Sequence, residues 1–483
     1  MIQLGEWLPD QADIMNSGVT VATNVFPAAI GYHSMNSFVP YSNAATNTIK
    51  GIFAAKDTAS NTKLFAGDAT NLYLHSTSTN NLDPVSKVGG YTLDDGETWR
   101  FVQFGDYVLT SGGVGETVQS FELGASSNFA DLTNAPKADF IAVVRDFVWT
   151  ANVDTGAGRL PYRCQWSGFN DITSWVPGVD QADFQDLPDS GAITGLVGGE
   201  YATVLCEKAI YRATYTGPPL IWQFDKVVAE RGCAFKNSVC NSGNLVFFLA
   251  SDGFYAFDGQ KASPIGSERV NEFFLQDFDS NYDYRMSCSV DPLNEVAMWS
   301  YTSTQSPTGQ PDKIIIYNYV LNKWSLAEIE ADYLAPMFSA GYTVDDLDNL
   351  AATVDGLSQQ LDSRFFKGGQ YFFGGAYGDK IYTFSGAPMD AVIETGEAPM
   401  SMGKHSIVVR SYPYYEDGSV SISVGTRNNQ SSSVTYSAPS TPNVSGFAPH
   451  RSQGRYHRAK LNLSGGWNKV IGLDVEAREI GRR

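Results

Sequence analysis

A hairpin of two short apolar strands recurs along most of the chain, and this recurrence is the feature that most restricts its possible folds. One aromatic residue in each hairpin marks the repeat, and successive markers are 48, 45, 45, 44, 62 and 65 residues apart. The first four separations match the ~40–50 residues expected of a β-propeller blade. The markers are Tyr73, Phe121, Trp166, Tyr211, Tyr255, Tyr317 and Tyr382. We therefore predict an all-β protein whose propeller has about seven blades, or six if the weaker repeat around Phe121 or Trp166 is not a full sheet.

The clearest repeat lies between Asn237 and Phe274, where four short strands follow one another. Leu245–Ala250 is apolar on both faces, so it must be covered on both sides. The turn signals Ser251-Asp252-Gly253 and Asp258-Gly259 separate it from the next strands, because glycine supplies the positive φ that hairpin turns need. A four-stranded meander stacked between similar sheets satisfies these requirements.

The last two separations are long because the chain carries insertions. One is a polar loop from Ser303 to Asp312. The other runs from Val344 to Ser363 and has leucines at helical spacing, which is typical of a short amphipathic helix or an ordered loop.

Composition changes divide the chain into four parts. Residues 1–47 are predicted to form an N-terminal arm with a ring-closing strand near Val19–Phe26, and residues 48–386 form the propeller. Pro388 and Pro399 indicate a linker over 387–403. Clean alternation of polar and apolar residues over 404–483 predicts a C-terminal antiparallel β-sandwich.

Charge is unevenly distributed. Residues 398–483 contain 11 Lys+Arg and 5 Asp+Glu, a net charge of +6, whereas residues 1–397 contain 22 basic and 47 acidic residues, a net charge of −25. A body of this charge repels nucleic acid within a Debye length. It indicates either simple solubility or a surface that lies near DNA without binding it. The basic C-terminal part is a candidate for contact with an acidic partner.

The cysteines are odd in number and widely spread, which favours buried free thiols made in a reducing cytoplasm. They are Cys164, Cys206, Cys233, Cys240 and Cys288.

Signals for catalysis are weak, and we predict no catalytic residue, no cofactor and no metal. Asp277, Asp279, Asn281 and Asp283 alternate as calcium ligands do, but they lack the glycine and the bidentate glutamate of an EF-hand, which favours an acidic loop. Thr92–Trp99 resembles the Asp-box turn of sialidase-like propellers, which is a structural element.

A basic-aromatic cluster in the C-terminal part is the candidate contact surface for a partner. It can contact phosphates or an acidic protein, although an ordinary exposed strand explains it equally well. The candidate contact residues are Arg451, Arg455, Arg458 and Lys460.

Several stretches together resemble the tail nozzle proteins of short-tailed phages, also described as packaged-DNA-stabilising or tail tubular proteins. The resemblance spans most of the chain and rests on extended context. It is carried by Glu6–Asp10, Trp166–Trp175, Gln185–Asp189, Ile193–Gly195, Ala209–Arg212, Gly217–Pro219, Phe224–Lys226, Ser251–Tyr255, Pro264–Gly266, Gly425–Asn428 and Gly454–Arg458.

The resemblance implies a structural virion protein that is not an enzyme. Six copies are expected to form a ring below the portal and adaptor, around the channel through which packaged DNA is retained and then ejected. The implied partners are the head-tail adaptor, tail fibre or spike proteins and DNA passing without sequence-specific contact, with no membrane span. The expected location is the virion tail after synthesis in the host bacterial cytoplasm. A receptor- or glycan-binding propeller module and a propeller glycosidase are the alternatives.

Overall fold

Short antiparallel strands make up almost all of the described chain. The structure is a computed structural model that describes residues 2–58, 61–339, 369–400 and 404–481. These ranges contain forty strands, one α-helix and two 3-10 helices, so the all-β prediction is confirmed. The predicted helix or loop over Val344–Ser363 lies outside the described residues. None of the helices in the described ranges has the length and apolar character needed to span a bilayer.

The N-terminal arm contributes five short strands. They are β1 (Ile2–Gln3), β2 (Val19–Thr23), β3 (Val25–Pro27), β4 (Tyr32–Ser34) and β5 (Val39–Pro40).

Four antiparallel sheets, A to D, follow in chain order. Sheet A contains β6 (Gly51–Lys56), β7 (Thr62–Gly67), β8 (Leu72–His75) and β9 (Leu82–Pro84). Sheet B contains β10 (Arg100–Phe104), β11 (Tyr107–Ser111), β13 (Gln119–Glu122) and β14 (Ala130–Asp131). Sheet C contains β12 (Gly113–Thr117), β15 (Lys137–Val144), β16 (Phe147–Asp154), β17 (Arg159–Trp166) and β18 (Asp183–Asp186). A 3-10 helix (Pro188–Ser190) precedes sheet D, which contains β19 (Ile193–Val197), β20 (Ala202–Cys206), β21 (Ile210–Gly217) and β22 (Ile221–Val228).

Three further sheets, E to G, continue the series. Sheet E contains β23 (Cys240–Ser242), β24 (Leu245–Ala250), β25 (Gly253–Phe257) and β26 (Ala262–Pro264). The helix α1 (Asn271–Asp277) and a second 3-10 helix (Ser280–Arg285) lead to sheet F, with β27 (Ser287–Asp291), β28 (Val296–Tyr301), β29 (Lys313–Asn318) and β30 (Lys323–Ala327). Sheet G contains β31 (Tyr333–Phe338), β32 (Tyr371–Tyr377), β33 (Lys380–Thr383) and the arm strand β5.

The remaining strands form the C-terminal part. They are β34 (Ala391–Thr395), β35 (His405–Glu416), β36 (Ser419–Arg427), β37 (Thr435–Tyr436), β38 (Ala448–Gly454), β39 (Tyr456–Ser464) and β40 (Lys469–Gly481). Strand β38 was missed by the sequence analysis because its residues, Ala-Pro-His-Arg-Ser-Gln-Gly, have no apolar alternation.

The seven aromatic markers occupy equivalent places in the fold. Every marker lies on the next-to-last strand of its sheet, from Tyr73 on β8 to Tyr382 on β33. Tyr73, Tyr255 and Tyr317 donate hydrogen bonds from their hydroxyls to nearby Asp68, Asp252 and Asn322. The spacing of the aromatic markers in the sequence therefore corresponds to the succession of sheets in the structure.

Neighbouring sheets pack face to face through shared clusters of buried apolar residues. Phe65 of sheet A packs with Val108 of sheet B, and the last sheet returns to the first because Met337 and Ile381 of sheet G share a cluster with Ile52 of sheet A. The intermediate interfaces are Leu109 with Ile141, Trp149 with Val204, Leu205 with Val246, Phe247 with Trp299 and Met298 with Leu334. The sheets therefore form a propeller-like array.

The N-terminal arm joins this array to the C-terminal strands. β5 closes sheet G by pairing with β33, with Val39 opposite Thr383. The predicted ring-closing strand near Val19–Phe26 does not do this: β2 instead pairs in parallel with β30 and antiparallel with β34. Its Val-Thr-Val-Ala-Thr sequence suits an interior strand that is covered on both faces.

The linker predicted over 387–403 contains a strand rather than flexible chain. β34 lies between β2 and β39 in a continuous nine-stranded sheet that begins with sheet F and ends at β37. Ala391 and Ile393 are buried in the same cluster as Trp299, Leu461 and Leu463. Because prolines lie on both sides of this short apolar segment, its sequence is also typical of a linker.

The prediction of five free thiols is wrong for one pair. Cys240 and Cys288 form a disulfide between the first strands of sheets E and F, whose Cα atoms lie 5.7 Å apart. Cys164, Cys206 and Cys233 are free and buried, as expected. The pair is 48 residues apart, so only the convergence of the two sheets brings it together.

Candidate functional site

Strands β10, β15, β19 and β23, one from each of sheets B to E, converge around a water-accessible cavity. Its volume is about 280 Å³, and sheets B, C, D and E contribute to its wall. The wall consists of the backbone and small or apolar side chains of β15 and β19, together with Asn241 and the side chains of Arg100 and Lys236. Those two cations are the only charged side chains that line it within the described residues.

Arg100 opens strand β10 and is half-buried at the cavity. Its guanidinium carbon lies 4.5 Å from the ring centroid of Phe140, and its Nη2 donates to Oδ1 of Asn237 at 2.6 Å. Burial lowers the pKa of this guanidinium, and attraction to Asp139 opposes the shift. The aromatic ring and the amide fix the orientation of the guanidinium without neutralising it.

Lys236 lies in the loop before β23. Its Nζ is 4.0 Å from Oδ1 of Asp139, whose Oδ2 is 2.8 Å from Nη2 of Arg159. Burial lowers the pKa of the Lys236 ammonium; attraction to Asp139 opposes the shift, and repulsion from Arg100 and Arg159 adds to it. Three cations therefore share one buried carboxylate, and the part of the wall nearest Lys236 carries excess positive charge.

A second cavity, of about 120 Å³, lies beside the entry to sheets A and G. Its charged lining is mixed: Lys50 donates to the carbonyl of Asp94 at 2.7 Å, and Arg285 donates to the carbonyl of Gly309 at 2.7 Å. Burial lowers the pKa of Lys50, and burial raises the pKa of Asp332. The Asp-box-like turn forms one wall through Asp95, Gly96 and Thr98 and ends at the fully buried Trp99.

The calcium-like alternation does not bring its oxygens together. Both Asp277 oxygens contact Lys313, at 3.0 and 2.9 Å, and the hydroxyl of Tyr301 also donates to Asp277. Asp279 instead caps the second 3-10 helix by accepting from the backbone N–H of Asn281. Within the described ranges, no group of three His, Cys, Asp or Glu side chains is placed to hold a metal ion.

The predicted C-terminal contact residues do not form one surface. Arg451 is exposed on β38, which belongs to the sheet of β35 and β40, whereas Lys460 lies on β39 in the nine-stranded sheet. Lys460 holds its ammonium 5.8 Å from the ring centroid of Tyr436. Arg455, between the two strands, is half-buried. Arg451 is thus the most accessible of the four.

Arg458 is buried, so its prediction as a surface contact is wrong. Its side chain is 8% exposed and lies 2.6 Å from Asp13 and 3.1 Å from Glu394. Burial opposes its charge, but the hydrogen bonds to Asp13 and Glu394 raise the pKa of its guanidinium. The neighbouring His457 is also buried, because the N-terminal arm and the chain around Glu397 cover this part of β39.

The acidic partners in this network were missed by the sequence analysis. Glu394 and Glu397 lie in the predicted linker, and the carboxylate of Glu397 accepts from Arg427 and from Gln430. The Tyr436 hydroxyl donates to Glu394. Two acidic residues three positions apart inside an apolar segment, with arginines on later strands, were the available signal.

Comparison with known proteins gives no family. No family model matches the chain, and no curated protein matches it. Distant likenesses exist among solved structures. The WD40 domain of Neurospora crassa Pan2 has a TM-score of 0.36 at 8% identity, covering 62% of this chain and 88% of that one.

A protein described as a gluconolactonase has a TM-score of 0.32 at 11% identity, covering 58% of this chain and 91% of that one. An exo-β-1,3-galactanase from Phanerochaete chrysosporium has a TM-score of 0.25 at 11% identity, covering 81% of this chain and 98% of that one. All three TM-scores are below 0.5, so no activity is transferred from these proteins to this chain.

Proposed function

We propose that this chain is a structural protein of a short-tailed phage: a tail nozzle subunit that retains packaged DNA and guides its ejection. Six copies form a ring around the DNA exit channel, below the portal and adaptor. The observation that carries the proposal is the nine-stranded sheet that runs from sheet F through β2 and β34 into the C-terminal strands. A sheet shared in this way suits a subunit that must bear load without hinging.

The detailed architecture is part of the proposal. Sheets A to G are taken as seven propeller blades, because each packs against the next and sheet G packs against sheet A. The C-terminal strands are taken as a β-sandwich: Leu461 and Ile422 of one sheet and Leu473 and Val470 of the other belong to a single buried cluster. Such facing apolar sets are typical of aligned sheet packing.

The charge distribution supports a role next to DNA. The net charge of −25 over residues 1–397 favours a lumen along which DNA slides, since a basic lumen would hold phosphates by counterion release. The lumen in question is that of the six-membered ring, because a cavity of about 280 Å³ within one subunit is far too small for a duplex. Exposed Arg451 belongs to the basic part that we assign to contacts with the adaptor or with fibres.

DNA retention in particles that lack the protein tests this function. The proposal expects that a nonsense mutation in its gene gives heads that package DNA and then lose it, so that the DNA becomes accessible to nuclease. Supplying the wild-type chain in trans restores retention. Particles that keep their DNA and infect normally without this chain would contradict a nozzle role and favour a receptor- or glycan-binding module.

A further inference from the structure

The cavity between sheets B, C, D and E carries positive charge that the described protein neutralises only in part. Arg100 and Lys236 both line it, and no carboxylate does. Within the described residues, Lys236 makes no hydrogen bond, and its nearest carboxylate, on Asp139, is 4.0 Å away. That carboxylate is already held by Arg159 at 2.8 Å. The Lys236 side chain is 31% exposed and Arg100 is half-buried, so both cations are partly shielded from water and remain available to an anion that enters the cavity.

The two cations line the same cavity. Arg100 uses one of its five N–H groups on Asn237 and lies over the ring of Phe140, which leaves four N–H groups without a hydrogen-bond partner within the described residues. Lys236 precedes Asn237 in the chain, and Asn237 accepts the hydrogen bond from Arg100. Both cations are therefore attached to the same short segment. A guanidinium fork together with an ammonium point charge is a combination suited to phosphate oxygens.

We propose that this cavity is a binding site for a phosphate group, either as inorganic phosphate or as the phosphate of a small monoester. The two wall charges match a phosphate dianion, and the volume of about 280 Å³ leaves room for more than the ion alone. Arg100 binds two oxygens through its remaining N–H groups, and Lys236 binds a third. Asn237 and Phe140 position the guanidinium. This site is independent of the nozzle role.

Calorimetric titration of the full chain with inorganic phosphate and with glycerol phosphate tests the proposal, with sodium chloride at equal ionic strength as reference. Saturable binding of either phosphate is expected, and the tighter one identifies the source. Lys236→Met and Arg100→Gln each weaken binding by at least about tenfold, as expected for loss of a charge-assisted hydrogen bond. Absence of saturable binding by both compounds would overturn the proposal.

Arg212→Gln is the matched control. Arg212 also lies over an aromatic ring, that of Tyr201, and donates to a carbonyl, that of Gly259, but it lies outside the cavity. It should bind phosphate as the wild type does. If Arg212→Gln weakens binding as much as Lys236→Met, the site is not in this cavity.

Thermal unfolding separates a binding role from a structural one. Removal of the Lys236 charge should raise the melting temperature in phosphate-free buffer and reduce the extra stabilisation by phosphate over chloride. General salting-out by phosphate does not depend on Lys236, so an equal stabilisation by phosphate in the wild type and in Lys236→Met would count against the site. If Arg100→Gln does not fold, Lys236→Met alone decides the outcome.

Discussion

Arg427 and Glu397 form a two-pronged ion pair in which Nε lies 2.7 Å from Oε1 and Nη2 lies 2.5 Å from Oε2. The Glu397 side chain is fully buried and that of Arg427 is 11% exposed. The pair joins the chain after β34 to the end of β36. It therefore holds together segments that the sequence assigns to a linker and to a separate module.

Arg427→Gln should destabilise the protein by about 3 kcal/mol, because it leaves a buried carboxylate without its main partner. Arg458 lies 3.9 Å from Glu397 and still balances part of its negative charge. The loss of stability should therefore lie near the lower end of the range for a broken buried ion pair. Equilibrium unfolding in guanidinium chloride measures the change in the free energy of unfolding. Arg410→Gln is the control: its pair with Glu476 is 3.5 Å long and half exposed, so it should cost less than about 1 kcal/mol. Equal losses in both variants would refute the special role of the buried pair.

Protonation of His75 should lower the free energy of unfolding in mild acid. This buried ring stacks 5.1 Å from Tyr41, and neither of its nitrogens has a hydrogen-bond partner within the described residues. Burial lowers its pKa to about 4. Because the unfolded histidine titrates near ~6.5, the unfolded state binds the proton first, and about 3 kcal/mol is lost as the pH falls from ~6.5 to 4.

His75→Phe should remove that part of the pH dependence, measured as unfolding free energy at pH 7 and pH 5. The same change at His405, which is partly exposed at the start of β35, serves as the matched control. A His75→Phe variant with the wild-type slope would show that the ring is not neutral in the folded state.

Gly67→Ala should cost roughly 1–3 kcal/mol, because a Cβ there meets the Trp99 ring at 2.3 Å in a filled interior. Trp99 cannot move aside easily, since its indole N–H donates to the Asp68 carbonyl at 2.7 Å. Gly115→Ala is the control, with its nearest contact at 3.7 Å. Melting temperatures of the two variants are compared. A Gly67→Ala protein as stable as Gly115→Ala would mean that the Trp99 ring does not lie against Gly67.

Local features of the fold were predictable because they depend on neighbouring residues. The hairpin around Phe254 was predicted from its Asp-Gly turns and two-faced apolar strands, and the structure has β24, β25 and β26 there. The seven markers fall on the next-to-last strands of their sheets because each meander repeats the same local geometry. These features need no knowledge of the rest of the chain.

Long-range pairing was not predictable. β2 contacts β34 across more than 360 residues of sequence, and a strand's own residues do not say which edge it will join. The Cys240–Cys288 disulfide and the burial of Arg458 could not be predicted for the same reason. Each depends on contact with a segment that is distant in the sequence. The excess charge at Arg100 and Lys236 likewise appears only when sheets B and E are brought together.

The most direct test of the nozzle proposal is electron microscopy of the short-tailed virus particles in which the proposal places this chain, with the structure fitted into the tail density. The proposal predicts six copies in a closed ring below the adaptor, with the acidic part of each subunit towards the channel. Absence of the chain from the particles, together with a monomeric state in solution, would contradict it.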